Sequence, residues 1–296
     1  MICSKEDVLL PAKISMKPND KIFCNVMPCM LGHKKDFFDI YWGGVKIVTR
    51  YPERKPSLDS KLLLFDVQTG EFLSLMDANW ITAMRAGAVA AHSIILLAKK
   101  EYSTIGIVGL GNTARAMLLV LATMNPDKKF LVKILKYKGQ EESFIKRFQT
   151  NSNLKFVCVD DAEALVRGSD VVVSAVIFLE DNFSSDNCFE EGVLVVPIHT
   201  RGFTNCDLFF DKIYADDYGH VKHFKYFNKF RYFAEVSDVV NNKAVGRENN
   251  KERILAYNIG VSMHDINFAA HIYQLLIEQE SITDIDLHDP TEKFWI

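Results

Sequence analysis

The 296-residue chain lacks a large excess of charge of either sign: 35 lysines and arginines face 38 aspartates and glutamates, a formal net charge of −3. With an isoelectric point near 6.3, it offers no basic footprint for nucleic acid or an anionic membrane. A long apolar run is also lacking. The longest low-polarity stretch, residues 86–98, is interrupted by His92 and Ser93 and reads as too short to span a bilayer. The opening "MICSKEDVLL" has no signal-peptide pattern, so no membrane partner is expected. The six cysteines (Cys3, Cys24, Cys29, Cys158, Cys188 and Cys206) form no C-x-x-C pair. They read as reduced, mostly buried thiols of a cytoplasmic protein. No ligand quartet has zinc spacing, so no metal is expected. His220 and His223 in "GHVKH" could share a helix face, or form a solvated pair.

What is present is a regular alternation between about Ser103 and Asp217. "TIGIVG" precedes the amphipathic "NTARAMLLVLATMN", which Pro126 stops; "FLVKILK" precedes "EESFIKRFQ"; "KFVCV" precedes "DAEALVRG", whose Gly168 suits a helix C′ position. "DVVVSAV", "VLVVP" and "KIYAD" follow. Continuous β-branched runs imply strands buried on both faces, hence a parallel sheet covered by helices. The flanks differ. "GGVKIVTRY" and "KLLLFDVQTGEFLSLM" read as strands, the second broken by a turn at Gln68-Thr69-Gly70. Asp77 is a suitable N-cap for a helix running to about Lys99. Residues 249–280 read as two helical pieces broken near Gly260. The expected fold is α/β: a Rossmann-type doubly wound parallel sheet, residues 101–254, inserted into a second α+β substrate and dimerisation domain, residues 1–100 plus 255–296. A ligand cleft should lie between the two.

Gly109-Leu110-Gly111-Asn112-Thr113-Ala114 fits G-x-G-x-x-G/A between a strand and a helix. Gly109 permits the tight turn, Gly111 lets backbone approach a pyrophosphate, and Ala114 is small enough for close helix–strand packing. The free N–H groups of the following helix favour phosphate. An acid about 20 residues on would suit the ribose hydroxyls of NAD; Lys136-Tyr137-Lys138 stand there instead. Lys136 and Lys138 would attract a 2′-phosphate, which favours NADP; as solvated lysines they leave NAD open.

From Val45 onward the chain resembles the ornithine cyclodeaminase/mu-crystallin family. "GGVKIVTRYPE", "LLFDVQTGEFLSLMDANWITAMRAGAVAAHSIILLA", the glycine turn, "EALVRGSDVVVSAV" and "GRENNKERILAYNIGVSMHDINFAAHIY" match in order, and "NVMPCM" upstream is similar to the family's M-P-x element. The resemblance implies a homodimer whose enzymes use NAD(P) to oxidise the Cα–N bond of an amino acid or to reduce the corresponding imine, as cyclodeaminases, amino acid dehydrogenases or ketimine reductases. Mu-crystallin-like members bind small ligands, so a non-catalytic nucleotide- and ligand-binding protein is the rival reading.

On this resemblance Lys46 and Arg85 fall at the carboxylate-binding positions, and Lys13 stands where many relatives carry arginine. Arg85 also stands out alone, since a guanidinium amid "AMRAGAVAA" needs a partner. A salt bridge to Asp77 or Glu71 is the plainer alternative for Arg85, and solvent exposure for Lys46 and Lys13. The resemblance places Thr82 against the cofactor, with a hydrogen bond inside its own helix as alternative, and Ser174, Ala175 and Val176 at the cofactor-facing strand end. The family's catalytic Asp aligns with His199 and a nearby lysine with Phe203. Histidine can transfer protons near neutrality, so His199 joins Lys46 and Arg85 as a catalytic candidate; a loop histidine bonded to a carbonyl is its alternative. Asp207 is the fallback, and Asp265 in "MHDIN" reads as an orienting group. This departure favours a substrate other than ornithine.

Overall fold

Two sheets, built on opposite rules of side-chain alternation, organise the fold. The computed structural model describes residues 8–32, 42–177, 179, 181–199, 203 and 207–285. The first sheet is antiparallel. Its strands are β1 (Val8–Leu9), β2 (Ile14–Met16), β3 (Phe23–Leu31), β4 (Trp42–Arg50), β5 (Leu58–Asp66) and β6 (Phe72–Asp77), in the order β1-β3-β4-β5-β6 with β2 also on the free edge of β3. Side chains alternate as in a half-covered sheet. Lys46, Val48, Leu62 and Leu64 point inward and are buried, while Ile47 points out. The β5–β6 turn falls at Gly70, whose φ of 77° needs glycine.

Helix α1 (Asn79–Leu97) follows at once. Its N-cap is Ala78 rather than Asp77, but the Asp77 carboxylate still accepts the Asn79 N–H at 3.0 Å. The helix ends two residues before the expected Lys99. By length and composition α1 could cross a membrane, contrary to the expectation drawn from residues 86–98. Here it is a core helix, with Ile81, Arg85, Gly87, Ala90, Ile94 and Leu97 buried. Gly87 is required by packing: a Cβ there would meet Ala116 and the Met117 backbone nitrogen at 2.5 Å.

The second sheet comprises β7 (Thr104–Val108), β8 (Phe130–Leu135), β9 (Leu154–Val159), β10 (Val171–Ser174), β11 (Leu194–Pro197), β12 (Lys212–Ala215), β13 (Phe233–Glu235) and β14 (Ile254–Tyr257). All pairings are parallel, in the order β13-β12-β14-β11-β10-β7-β8-β9. Helices α2 (Asn112–Met124), α3 (Gln140–Arg147), α4 (Ala162–Val166), α5 (Tyr218–Val221) and α6 (Val236–Val240) connect them. One apolar core gathers Ile94, Leu97, Met117, Leu121 and Phe144 against the sheet. A second gathers Leu165, Phe189, Phe203 and Phe210. The expected Rossmann-type sheet is therefore present. The chain starts at β7, moves outward to β9, then returns to β10 on the other side of β7, so the switch point opens between β7 and β10. As expected, Gly168 terminates α4 with φ 65°.

One expected helix is a strand. "ILAY" forms β14, inserted between β11 and β12, so the parallel sheet extends past residue 254, where the sequence placed its end. Only then does the chain leave through Gly260 into α7 (Ser262–Glu278). Helix α7 lies across the inner face of the antiparallel sheet. Gly44 makes room, since a Cβ there would meet Ile266 at 2.5 Å. Cys24, Cys158 and Cys188 are free thiols and Cys29 is buried, while Cys3 and Cys206 lie outside the described residues.

Candidate active site

The pyrophosphate turn has the geometry its sequence demands. Gly109 takes φ 84°, and a Cβ there would meet the Ala175 carbonyl carbon and Val176 nitrogen at 2.7 and 2.8 Å. Gly111, by contrast, faces open space, with nothing within 4 Å of where its Cβ would be. Helix α2 begins at Asn112 without a side-chain cap and with no acid in its first turn. Its N–H groups and positive dipole end therefore face that space unopposed. Ala114 is buried. A dinucleotide pyrophosphate fits this cradle. Thr113 lies in the same first turn, and Ala175 and Val176 line the opposite side. Leu110 turns its side chain into the core and Ser174 is buried, leaving backbone as their means of contact.

At the end of β8, Lys136 is not bare. Its Nζ lies 2.8 Å from Asp160 Oδ1, which arrives from the end of β9. Both side chains are exposed, and the pairing holds the lysine pKa above its usual value. Lys138 has φ 51° and its Nζ stands 5.0 Å from the Tyr137 ring centre. The Thr82 hydroxyl donates to Ser60 Oγ on β5 at 3.0 Å rather than within its own helix.

The cationic cluster forms where the C-terminal edge of the parallel sheet faces α1, α7 and β4. Lys46 is fully buried, not solvated, and its Nζ donates to Asp265 Oδ1 at 2.6 Å. Arg85 Nε donates to the same oxygen at 2.9 Å. The partner of Arg85 is thus Asp265 on α7, not Asp77 or Glu71. Asp265 acts as the expected orienting group, tying the antiparallel sheet to α1. Two buried atoms of this cluster, Arg85 Nη1 and Asp265 Oδ2, have no hydrogen-bond partner. Burial, reinforced by Arg85 and opposed by Asp265, lowers the Lys46 pKa to about 7.

Three side chains approach the guanidinium from other elements. Lys13, just before β2, has its pKa lowered by burial, against the pull of Asp216. His199, after β11, is lowered to about 4 by burial, then by Arg85 and Lys13. His264, in the first turn of α7, is likewise lowered to about 4 by burial and Arg85, with Asp265 and Asp216 opposing. Asp216 directly follows β12 and accepts the Gly260 N–H. It also lies 3.3 Å from the His220 ring, so His220 pairs with Asp216 rather than His223. Gly260, φ 96°, lets the chain pass against the guanidinium, where a Cβ would collide with it.

The structure thus gathers Lys13, Lys46, Arg85 and His199, and adds Asp216, Gly260 and His264, which the sequence did not single out. Gly260 carried a faint signal as a lone glycine between periodic segments. Phe203, aligned with the family's lysine, instead packs against Phe189 and Phe210 at 6.0 and 5.8 Å between ring centres. The Asp207 side chain lies outside the described part of the structure. No group of three or more metal-ligating side chains occurs among the described residues.

The sequence profile of the ornithine cyclodeaminase/mu-crystallin family matches residues 6–280. The chain belongs to that family. Among family-like relatives, the "Nodulation efficiency protein NfeD" of Rhizobium meliloti is 26% identical, covering 90% of this chain and 83% of its own. The N-((2S)-2-amino-2-carboxyethyl)-L-glutamate dehydrogenase of Staphylococcus aureus is 24% identical, covering 88% and 81%. The structure of Thermococcus litoralis Δ1-pyrroline-2-carboxylate reductase, solved with NADH and L-proline, superposes with a TM-score of 0.79 at 23% identity, covering 94% of this chain and 90% of that one.

Proposed function

We propose that the chain is an NAD(P)-dependent oxidoreductase that reduces a cyclic or open α-imino acid, or oxidises the matching amino acid at its Cα–N bond. The observation that carries this reading is the buried Lys46–Asp265–Arg85 cluster in a chain that also carries an uncapped glycine turn. The same fold thus offers a dinucleotide cradle and a cationic grip for a carboxylate. Relatives whose names describe a dehydrogenase of an amino-acid derivative and a reductase of a cyclic imine support it.

A bound nicotinamide supplies the hydride at Cα, or removes it. The chain's residues do the rest. The outer face of Arg85 and the unpaired Lys13 hold the substrate carboxylate, and Lys46, one layer behind, keeps Asp265 and hence Arg85 in place. His199 hands a proton to the imine nitrogen, or takes one from the amine. Burial above all, then Arg85 and Lys13, disfavours its protonation. An arriving carboxylate offsets the part owed to the two cations and so raises the imidazole pKa.

At the adenosine end, Lys136 and Lys138 favour the 2′-phosphate of NADP. The exposed Lys136–Asp160 pair is screened by solvent, so a phosphate dianion can displace it. The free thiols support a reducing, cytoplasmic setting. The outer face of the antiparallel sheet supports a homodimer.

Steady-state assays should show reduction of Δ1-pyrroline-2-carboxylate or a related imine with NADPH, more slowly with NADH, and amino acid oxidation in reverse. Lys136→Asp should weaken NADPH more than NADH; equal losses would remove the cofactor preference. Nucleotide binding by fluorescence without hydride exchange, across imines and amino acids, would make this a binding protein instead.

A further inference from the structure

The acid that the sequence lacks at the end of β8 is supplied there by the neighbouring strand. Strands β8 and β9 run parallel, with Leu135 opposite Val159 as the last pair. One further bond, from the Lys136 N–H to the Val159 carbonyl at 3.0 Å, carries the register past that pair. Lys136 and Asp160 therefore leave their strands side by side, and Lys136 Nζ donates to Asp160 Oδ1 at 2.8 Å. Among the described residues, Lys136 is the one hydrogen-bond partner of the Asp160 side chain, which is 80% exposed. The neighbouring acids are engaged by backbone: Asp161 accepts the Ala164 N–H at the start of α4, at 2.8 Å, and Glu141 accepts the Tyr137 N–H at 3.3 Å. From α2, Arg115 donates to the Leu110 carbonyl and to Ser143 Oγ on α3, at 3.3 and 2.8 Å. It ties the glycine turn to the helix that follows the β8 tip.

In a dinucleotide-binding sheet, the strand beside the glycine-turn strand ends at the adenosine ribose, where an acid accepts the 2′-hydroxyl. We propose that Asp160 is a specificity-determining residue for the cofactor: delivered from β9 to the tip of β8, it accepts the ribose 2′-hydroxyl of NAD(H), while Lys136 beside it receives the 2′-phosphate of NADP(H). With NAD(H), the lysine stays on Oδ1 and the other carboxylate oxygen takes the hydroxyl proton donor. With NADP(H), Lys136 turns to the phosphate, assisted by Lys138, and Asp160 remains as a like charge beside it. Asp160 thus tempers the NADP preference of the two lysines and leaves the site open to both cofactors. The inference rests on the reading of the glycine turn as a dinucleotide site and sharpens what that site selects.

The test is direct fluorescence titration of the full chain with NADH and with NADPH, which needs no turnover and so does not depend on the substrate. Asp160→Asn should weaken NADH by about 5-fold and tighten NADPH by a similar factor, since a charged acceptor is lost for one and a repulsive neighbour for the other. Lys136→Met should weaken NADPH by about 5-fold or more, while NADH binds as well as before or better, because the carboxylate is released from its lysine. Both side chains are exposed, so both variants should keep the wild-type melting temperature. An Asp160→Asn protein that binds NADH as the wild type does, or whose two affinities move in the same direction, would overturn the proposal. So would a loss of NADH affinity in Lys136→Met. A folded wild type that binds neither nucleotide would instead remove the dinucleotide reading, and this inference with it.

Discussion

Three influences act on one proton at Lys46. Burial drives it off, the Arg85 charge repels it, and Asp265 at 2.6 Å retains it, leaving a pKa of about 7. If the grip requires the protonated form, kcat/KM, which reports the free enzyme, falls as pH rises through about 7. A bound carboxylate adds negative charge nearby, so the matching limb in kcat moves to higher pH. The sign for stability is the reverse. A lysine with a depressed folded pKa binds fewer protons folded than unfolded between about 7 and 10.5, so this group's contribution to stability grows with pH across that window. Lys46→Met should remove both effects, as read from pH–rate profiles and from thermal unfolding at several pH values. A limb that stays in the mutant belongs to another group. Arg85 was legible in the sequence because a guanidinium among apolar neighbours demands a partner, Lys46 only through the family resemblance, and Asp265 as an orienting group. Their pairing was not, because Asp265 is 180 residues from Arg85 along the chain. Asp216 and His264 were missed for the same reason: each comes from the end of a different element, and only the fold brings them to the guanidinium.

The two turn glycines separate folding from binding at the scale of an element. Gly109 has φ 84° and backbone atoms within 2.9 Å of any added Cβ, so Gly109→Ala should destabilise the β7–α2 unit by roughly 2 kcal/mol or more. Gly111 has φ −76° and empty surroundings. Gly111→Ala should therefore fold with an unchanged melting temperature, yet bind dinucleotide at least about 10-fold more weakly, because the methyl occupies the pyrophosphate's approach. Thermal unfolding with cofactor fluorescence titration checks both; a normal affinity in Gly111→Ala would place the phosphate elsewhere. Strand β7, helix α2 and the turn between them were readable because their pattern is local. Strand β14 was not. "ILAY" is a four-residue apolar run that fits a buried strand or a helix equally, and its place between β11 and β12 is set by partners earlier in the chain.

For the molecule as a whole, the antiparallel sheet presents two unlike faces. The inner one carries Lys46 under α7. The outer one carries Ile14, Val26 and Ile47 in one cross-strand row, which continues to Lys61, and Val45, Leu63 and Leu75 in the next, with Ile14, Ile47 and Leu75 exposed by 59%, 42% and 68%. A largely apolar sheet face of this kind suits a second copy of the same chain, meeting it across a two-fold axis. The dimer would then be more than an assembly state. Ile47 and Lys46 are neighbours on β4, so a partner pressing on Ile47 stiffens the strand that sets the Lys46–Asp265 bond. Light scattering should give a mass about twice 33.7 kDa for the wild type and one chain for Leu75→Lys, since a lysine covered by the contact would lose its hydration. Substrate KM should rise in that monomer while cofactor affinity holds, because the glycine turn belongs to the other sheet. A dimer that survives Leu75→Lys would move the contact off this face and leave β4 to be braced by α7 alone.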